Sequence, residues 1–265
     1  MTQIDGEVET TSGYAMRGRQ GKIIEALGRD IVGGRYRPGD LLPREAELTE
    51  AYTASRTSLR EAIKVLAAKG LVETRQKVGT RVRERELWSV FDTDILRWQT
   101  AGDNAESVMR DLIELRQILE PAAARLAAGR AEIEDLRRIG QVTARMAASA
   151  EEHEQYAASD VDFHLAIYAA SHNELLGRFG RLVADFMRLS FDVQQRARAQ
   201  ETVDFADDAQ AHAVVYQDIN RGDATAAAES MLAVVLDGKS ALIEALNTLS
   251  LRDNAVAADH QPRAS

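Results

Sequence analysis

From Ala105 onward the chain carries apolar residues at helical spacing and shows no strand pattern, which limits this part to an all-α fold. The segments are rich in Ala and Leu, and short polar or glycine-containing stretches such as Gly129 and 221–223 separate them. Short connections make successive helices antiparallel neighbours. The sequence therefore predicts an antiparallel α-helical bundle with helices at residues 105–127, 131–149, 151–171, 174–197, 206–221 and 223–249.

The first third of the chain has a different pattern, in which three short helices precede a β-hairpin. The first helix stops at Gly33-Gly34, and the third begins after Ser55, a residue type suited to capping a helix, and ends at Gly70. The stretches LVETRQ and TRVRE then flank KVG, which is a hairpin signal. This order predicts a winged helix-turn-helix in a chain that is mainly α. We expect it at residues 13–85, followed by a linker at 86–103 and the helical domain at 104–250.

Charge is distributed unevenly between these two modules. The whole chain has a formal net charge of −9, yet residues 13–85 contain 16 Lys and Arg against nine Asp and Glu. Such asymmetry is typical of a module that binds a polyanion joined to one that does not. Chance clustering of solvated charge is the alternative interpretation.

The composition excludes several classes of protein. The chain contains no cysteine, which excludes a disulfide scaffold, a thiolate zinc site and a cysteine nucleophile. Its acidic and polar N-terminus lacks the basic and apolar regions of a secretory signal. No apolar run approaches the ~18 residues that a membrane helix needs. We therefore expect a soluble, cytoplasmic protein without a membrane partner.

The positive charge of the first module collects around the start of its third helix. A recognition helix enters the major groove of double-stranded DNA with its N-terminal residues toward the base edges. Arginine can bond a guanine edge with two donors, and Ser or Thr can donate to phosphates or bases. An ordinary solvated face is the alternative. The pattern predicts DNA contacts from this helix, from the helix before it and from the hairpin, whose polar residues include Arg56, Thr57, Ser58 and Arg60, then Arg44, and then Arg75, Gln76, Lys77 and Arg81.

In the helical domain, Asp160 and His164 are four residues apart and therefore share one face of a helix. This spacing suits two ligands of one metal ion, because both side chains can converge on one point. An imidazole N–H bonded to a carboxylate in a polar core is the alternative interpretation.

Arg116 lies in the middle of a predicted helix among apolar neighbours. A buried arginine needs an anionic partner, because an unpaired charge is costly away from water. An internal carboxylate such as Glu120 or Asp160 is one such partner.

Three stretches of the first module, LLPREAEL, SRTSLREAIKVLAAKGLVE and VGTRV, resemble the winged-helix signature of the GntR family of bacterial transcription regulators. The resemblance covers about residues 17–83. It implies that Arg56, Thr57, Ser58 and Arg60 contact DNA from the recognition helix and that Gln76 and Lys77 contact it from the wing. Some relatives have an arginine where this chain has Ala46, so a backbone contact there is left to Arg44.

The second module resembles the FCD effector domain of the FadR-type branch of that family, through IELRQILEPAAARLAA, DVDFH…SHN and QAHAVVYQDINRGDATAA. This resemblance implies a divalent metal, Zn²⁺ or similar, held by Asp160, His164 and His212. The position of the usual fourth ligand is Val234, which cannot coordinate a metal. The resemblance also implies that Arg116 faces a cavity and binds the carboxylate of an effector.

The predicted linker, LWSVFDTDILRWQTAGD, is similar to that of a sugar-acid-sensing subgroup of the family. Alternatively, its two tryptophans simply pack the two domains together. The matching positions are Trp88, Asp92, Asp94, Leu96 and Trp98.

Together these features predict a homodimeric regulator rather than an enzyme. We expect a repressor of a sugar-acid catabolic operon that reads a palindromic operator and is released by a small carboxylate such as D-galactonate. A DNA-binding protein of purely architectural role, without a ligand, is one alternative. A metal-dependent hydrolase built on Asp160, His164 and His212 is another, and Glu154 is the nearby acid that it would need as a general base.

Overall fold

The computed structural model describes residues 18–89, 92–100, 105–198 and 204–259, and these residues are mainly helical, as the sequence predicts. The chain divides into two units, Met1–Ala105 and Glu106–Ser265. None of the described helices combines the length and the apolar content that crossing a membrane requires.

The first unit contains the helices and hairpin of a winged helix-turn-helix. Its elements are α1 (Gly18–Val32), α2 (Glu45–Ala51), α3 (Arg56–Ala68), β1 (Val72–Arg75) and β2 (Gly79–Val82). Leu27 and Ile31 of α1 and Leu66 of α3 are buried in one core, because apolar residues at helical spacing form a continuous stripe. The strands pair antiparallel, with Val72 opposite Val82.

Both ends of α3 follow from local sequence. The Oγ of Ser55 accepts a hydrogen bond from the backbone N–H of Ser58 at 3.1 Å, which satisfies one of the free donors of the first turn. At the other end Gly70 has a φ of 81°, a left-handed conformation that glycine adopts without strain. The cap fixes where the helix begins, and so which side chains belong to its first turn.

The segment that the sequence marks as a linker packs as part of the first unit. It contains a short 3-10 turn (Arg85–Leu87) and α4 (Thr93–Thr100). Trp88 and Trp98 are only 4% and 2% exposed and lie in the same core as α1. The indole N–H of Trp98 donates to Glu25 at 3.0 Å, and its ring lies directly over Gly28, where no side chain interferes. The tryptophans therefore belong to the core of the DNA-binding module.

A buried lysine attaches this segment to the end of α3. Lys69 is 8% exposed, and its ammonium group lies 2.7 Å from carboxylate oxygens of both Asp92 and Asp94. Burial disfavours the charged form, but the hydrogen bonds to the two aspartates outweigh it and raise the pKa of Lys69. The lysine can be buried because two carboxylates form ion pairs with it.

The second unit is a bundle of helices joined by short connections, as the periodicity predicts. Its elements are α5 (Ala105–Arg130), α6 (Ile133–Ala148), α7 (His153–Ala170), α8 (Glu174–Arg198), α9 (Ala206–Asn220) and α10 (Ala224–Asp259). α7 packs against both α6 and α8, and α10 packs against α8 and α9. Large side chains of α7, including Tyr156, Phe163 and Tyr168, are almost completely buried. This helix is therefore the centre of the bundle and carries the polar residues that face its interior.

The last helix is longer than predicted. The sequence pattern places its end near residue 249, whereas α10 continues to Asp259. No glycine or proline occurs between Gly238 and Asp259 to end the helix earlier.

Gly28→Ala tests the packing of α4 on α1. The added methyl carbon would lie 2.4 Å from the ring of Trp98, so we expect it to lower the free energy of unfolding of the first unit by about 1–3 kcal/mol. Trp88 and Trp98 are the only tryptophans of the chain, so tryptophan fluorescence during denaturation reports on this unit. Gly177→Ala is the control, since its methyl would meet no atom within 4 Å. An unchanged denaturation midpoint for Gly28→Ala would contradict this packing.

Candidate functional site

Three side chains of the second unit that are of metal-ligand type come together at one point. Asp160 and His164 project from one face of α7, and His212 comes from α9. The Nε2 atom of His212 lies 2.9 Å from Oδ1 of Asp160, and Nε2 of His164 lies 3.6 Å from the same oxygen. One ligand atom from each of the three lies within 4.8 Å of the others, and all three residues are buried. The structure thus brings together the three residues that the sequence selected as candidate metal ligands.

The other ring nitrogen of each histidine has its own oxygen neighbour. Nδ1 of His212 lies 2.7 Å from the backbone carbonyl oxygen of Asp208. Nδ1 of His164 lies 2.6 Å from Oε2 of Glu120, a close contact that is poorly aligned as a hydrogen bond. Protons on these Nδ1 atoms leave both Nε2 lone pairs directed at the common point, which is the tautomer that a metal ligand needs. The donor set of one carboxylate and two imidazoles fits a divalent ion such as Zn²⁺.

Arg116 of α5 is paired with Glu120, one of the two internal carboxylates that the sequence analysis names as possible partners. Its Nε donates to Oε1 at 2.6 Å, and its Nη2 donates to Oε2 at 3.3 Å. The arginine is 8% exposed and the glutamate 1%, and the guanidinium lies 6.0 Å from the ring centre of Phe186. Burial disfavours the charge, but the Glu120 carboxylate outweighs it and raises the pKa of Arg116. Arg116 is therefore a cation held in place inside the bundle.

The buried charged groups shift one another's pKa values. Burial alone would raise the pKa of Glu120, but Arg116 and His164 lower it to about 2. Burial also disfavours charged His164, but Glu120 and Asp160 together raise its pKa to about 9. The pKa of Asp160 is lowered, against the effect of burial, by the bonds to His164 and His212. The cluster therefore favours positive charge at the point where the three side chains meet.

These residues form one wall of a cavity of about 360 Å³, within the usual size range for small-molecule sites. Val234 also faces it, so the position of the missing fourth ligand is apolar and close to the other three. The cavity is lined by Arg116, Asp160, His164, Met187, Ser190, Phe191, Gln194, Asp204, Phe205, Asp207, Asp208, His212, Val234, Asp237, Gly238 and Ala241.

Two polar residues on this wall were not selected from the sequence. Ser190 and Gln194 of α8 are 6% and 7% exposed, and the amide of Gln194 donates to the Ser190 hydroxyl at 3.2 Å. Their spacing of four residues within an apolar helix face was the available signal. The Glu154 carboxylate, which a hydrolase would need, is exposed and does not line the cavity.

The predicted DNA-binding side chains of the first unit lie at its surface. Arg56, Thr57 and Arg60 of α3 are exposed and Ser58 is half-buried, since the apolar side of the helix faces the core. Arg60 donates to both carboxylate oxygens of Glu45 at 3.1 Å, which holds the guanidinium beside the start of α2. Three further predicted residues, Arg44 before α2 and Gln76 and Lys77 at the hairpin tip, are exposed as well.

Two family models match the chain where the two units lie. The model of bacterial regulatory proteins of the gntR family matches residues 19–82, and that of the FCD domain matches residues 111–237. The galactonate operon transcriptional repressor of Escherichia coli (strain K12) is 31% identical over 223 residues, which are 84% of this chain and 96% of that protein. The chain belongs to the GntR family. It is a DNA-binding transcription regulator with an FCD domain, and the proteins and domains that it matches are regulators rather than enzymes.

Two further proteins are similar to this GntR regulator. The Glc operon transcriptional activator of Escherichia coli (strain K12) is 35% identical over 159 residues, covering 58% of this chain and 61% of that one. The solved structure of Lar, which controls expression of the Listeria monocytogenes agr system, is 18% identical with a TM-score of 0.57. It covers 88% of this chain and 99% of Lar. At that identity the likeness supports the fold alone.

Proposed function

We propose that this GntR regulator represses a sugar-acid catabolic operon and leaves a palindromic operator when a carboxylate such as D-galactonate enters the FCD cavity. The observation that carries the proposal is Arg116, a buried cation in the cavity wall beside the Asp160, His164 and His212 cluster. The extended similarity to a galactonate operon repressor supports both the ligand class and the sign of regulation. An architectural DNA-binding protein would have no use for a cavity lined by buried charges.

In this proposal a divalent metal is held by Asp160, His164 and His212. Val234 leaves it with three protein ligands, so coordination positions stay open toward the cavity. When bound, such a metal supplies Lewis acidity for oxygen atoms of a ligand.

Arg116 would provide the anion-binding group of the cavity. Glu120 accepts from two of the five N–H donors of a guanidinium, so the arginine keeps donors for a second carboxylate. The buried hydroxyl of Ser190 and amide of Gln194 line the same space and suit the hydroxyl groups of a sugar acid. Aspartates at the cavity wall, such as Asp208 and Asp237, are further acceptors for hydroxyls. This combination favours a polyhydroxylated acid.

In a homodimer, the DNA-binding surfaces of the two protomers would be related by a two-fold axis. The first turn of α3 would read base edges in the major groove, and the hairpin would lie beside it, with one winged helix of a homodimer on each half-site. The Arg60–Glu45 pair supports this assignment, because it holds a guanidinium donor on the surface without burying it.

Arg60→Ala is expected to weaken specific operator binding by about 1–3 kcal/mol, because a bidentate base contact is lost. The protein should fold normally, since the side chain is exposed. Arg178→Ala removes an equally exposed arginine paired to a glutamate on α8 and serves as the control. Titration of labelled operator DNA measures both. If the two variants bind operator equally well, the recognition-helix assignment is wrong.

His164→Ala should remove the bound metal, because two remaining ligands cannot hold it. Elemental analysis of protein purified without added metal measures the metal content. His172→Ala is the control, because His172 bonds Asp135 on the bundle surface at 2.7 Å and is partly exposed. Equal metal content in wild type and His164→Ala would refute the metal site.

Arg116→Lys tests the effector site while leaving Glu120 a cationic partner. Lysine lacks the planar two-donor fork, so we expect operator release to need at least about tenfold more D-galactonate, while operator binding itself is unchanged. Arg110→Lys, at an exposed position of the same helix, is the control. Fluorescence anisotropy of operator DNA, measured before and during titration with the acid, gives the operator affinity and the acid concentration that releases the operator. Release at the same concentration in all three proteins would show that Arg116 is only structural.

A further inference from the structure

Glu120 occupies the junction between the two charged parts of the cavity. It is 1% exposed, and its carboxylate lies between a cation and an imidazole. Oε1 accepts from Nε of Arg116 at 2.6 Å, while Oε2 lies 2.6 Å from Nδ1 of His164 and 3.3 Å from Nη2 of Arg116. One side chain thus touches both the arginine and a histidine of the cluster.

The histidine atom that Glu120 contacts is the one that faces away from the cluster. Nε2 of His164 lies on the side of Asp160, at 3.6 Å, whereas Nδ1 faces the glutamate. A carboxylate behind a metal-ligating histidine fixes the ring orientation and the tautomer. The Nδ1 atom of His212 faces a backbone carbonyl oxygen, which a substitution does not remove. Glu120 is therefore the group whose replacement can change how a cluster histidine is oriented.

We propose that Glu120 is a positioning residue that couples the metal centre to the effector arginine, so that metal and acid bind cooperatively. The inference rests on the proposed function of the cavity. A metal on Nε2 holds His164 with its Nδ1 toward Glu120, and Glu120 in turn holds the guanidinium of Arg116 in one orientation. By linkage, the acid then favours metal binding to the same degree as the metal favours binding of the acid.

A glutamate that only neutralised Arg116 would behave differently. Its replacement would weaken metal binding only through the lost negative charge, the metal would bind either nitrogen of His164, and the effect of metal on the acid response would stay as in wild type. The nitrogen of His164 that binds the metal and the metal dependence of the acid response are therefore the quantities that separate a positioning role from simple charge pairing.

The first experiment compares zinc affinity of the full-length protein, measured by competition with a chelator. Glu120→Gln keeps the shape of the side chain and removes its charge, and we expect zinc to bind about 10–100-fold more weakly. Glu114→Gln, at an exposed position of the same helix, should bind zinc like wild type. Unchanged zinc affinity in Glu120→Gln would overturn the inference. This comparison needs no acid, so it is independent of the effector.

The second experiment uses wild type and covers the case in which Glu120→Gln does not fold. In zinc-loaded protein labelled with ¹⁵N-histidine, His164 should bind zinc through Nε2 and carry a proton on Nδ1. Zinc on Nδ1 of His164 would overturn the inference, because Glu120 would then face the wrong nitrogen.

The third experiment measures the coupling. D-galactonate should release operator from zinc-loaded wild type at a concentration at least about tenfold lower than from zinc-free protein, and this difference should vanish in Glu120→Gln. If the variant keeps the full difference, the inference fails while the proposed function stands. If the acid never releases operator from wild type but zinc affinity depends on Glu120, the proposed effector and the coupling fail, and only the positioning of His164 remains.

Discussion

A charge enclosed in the helical bundle has to be matched by other charges, and this requirement organises the cavity of the FCD domain. Arg116 and Glu120 lie side by side on α5, each almost completely buried, and His164 meets the same glutamate from α7. Removing one member of such a group leaves another charge buried and unpaired, which costs several kcal/mol. The three charged groups therefore depend on one another, and they place a fixed cation next to the three candidate metal ligands.

The two units use charge in opposite ways. In the winged helix, Arg56 and Arg60 near the start of α3 remain exposed, where a polyanion can replace water at little cost. At the cavity of the bundle, the charges of Arg116, Glu120 and Asp160 are buried, where each is sensitive to a single added ion or ligand. The first arrangement suits binding to a long, uniformly charged partner, and the second suits the recognition of one small molecule.

Features that depend on near neighbours in the chain could be predicted from the sequence. The start of α3 follows from Ser55, and the shared face of Asp160 and His164 follows from a spacing of four on a helix. Contacts between distant segments could not be predicted in this way. Nothing local indicates that Trp98 fills the space above Gly28, which makes the predicted linker part of the first unit. The contact between Glu120 of α5 and His164 of α7 likewise depends on the three-dimensional arrangement of the bundle.

In the proposed function, the cavity recognises the carboxylate of a polyhydroxylated acid. Calorimetric titration of the metal-loaded protein with matched pairs, such as D-galactonate and galactitol, tests this recognition, because the members of a pair share their hydroxyl groups and differ at the carboxylate. We expect that at least one acid binds and that its alditol binds at least about tenfold more weakly, since only the acid can engage Arg116. Equal affinity for acid and alditol, or no binding of any aldonate, would contradict it.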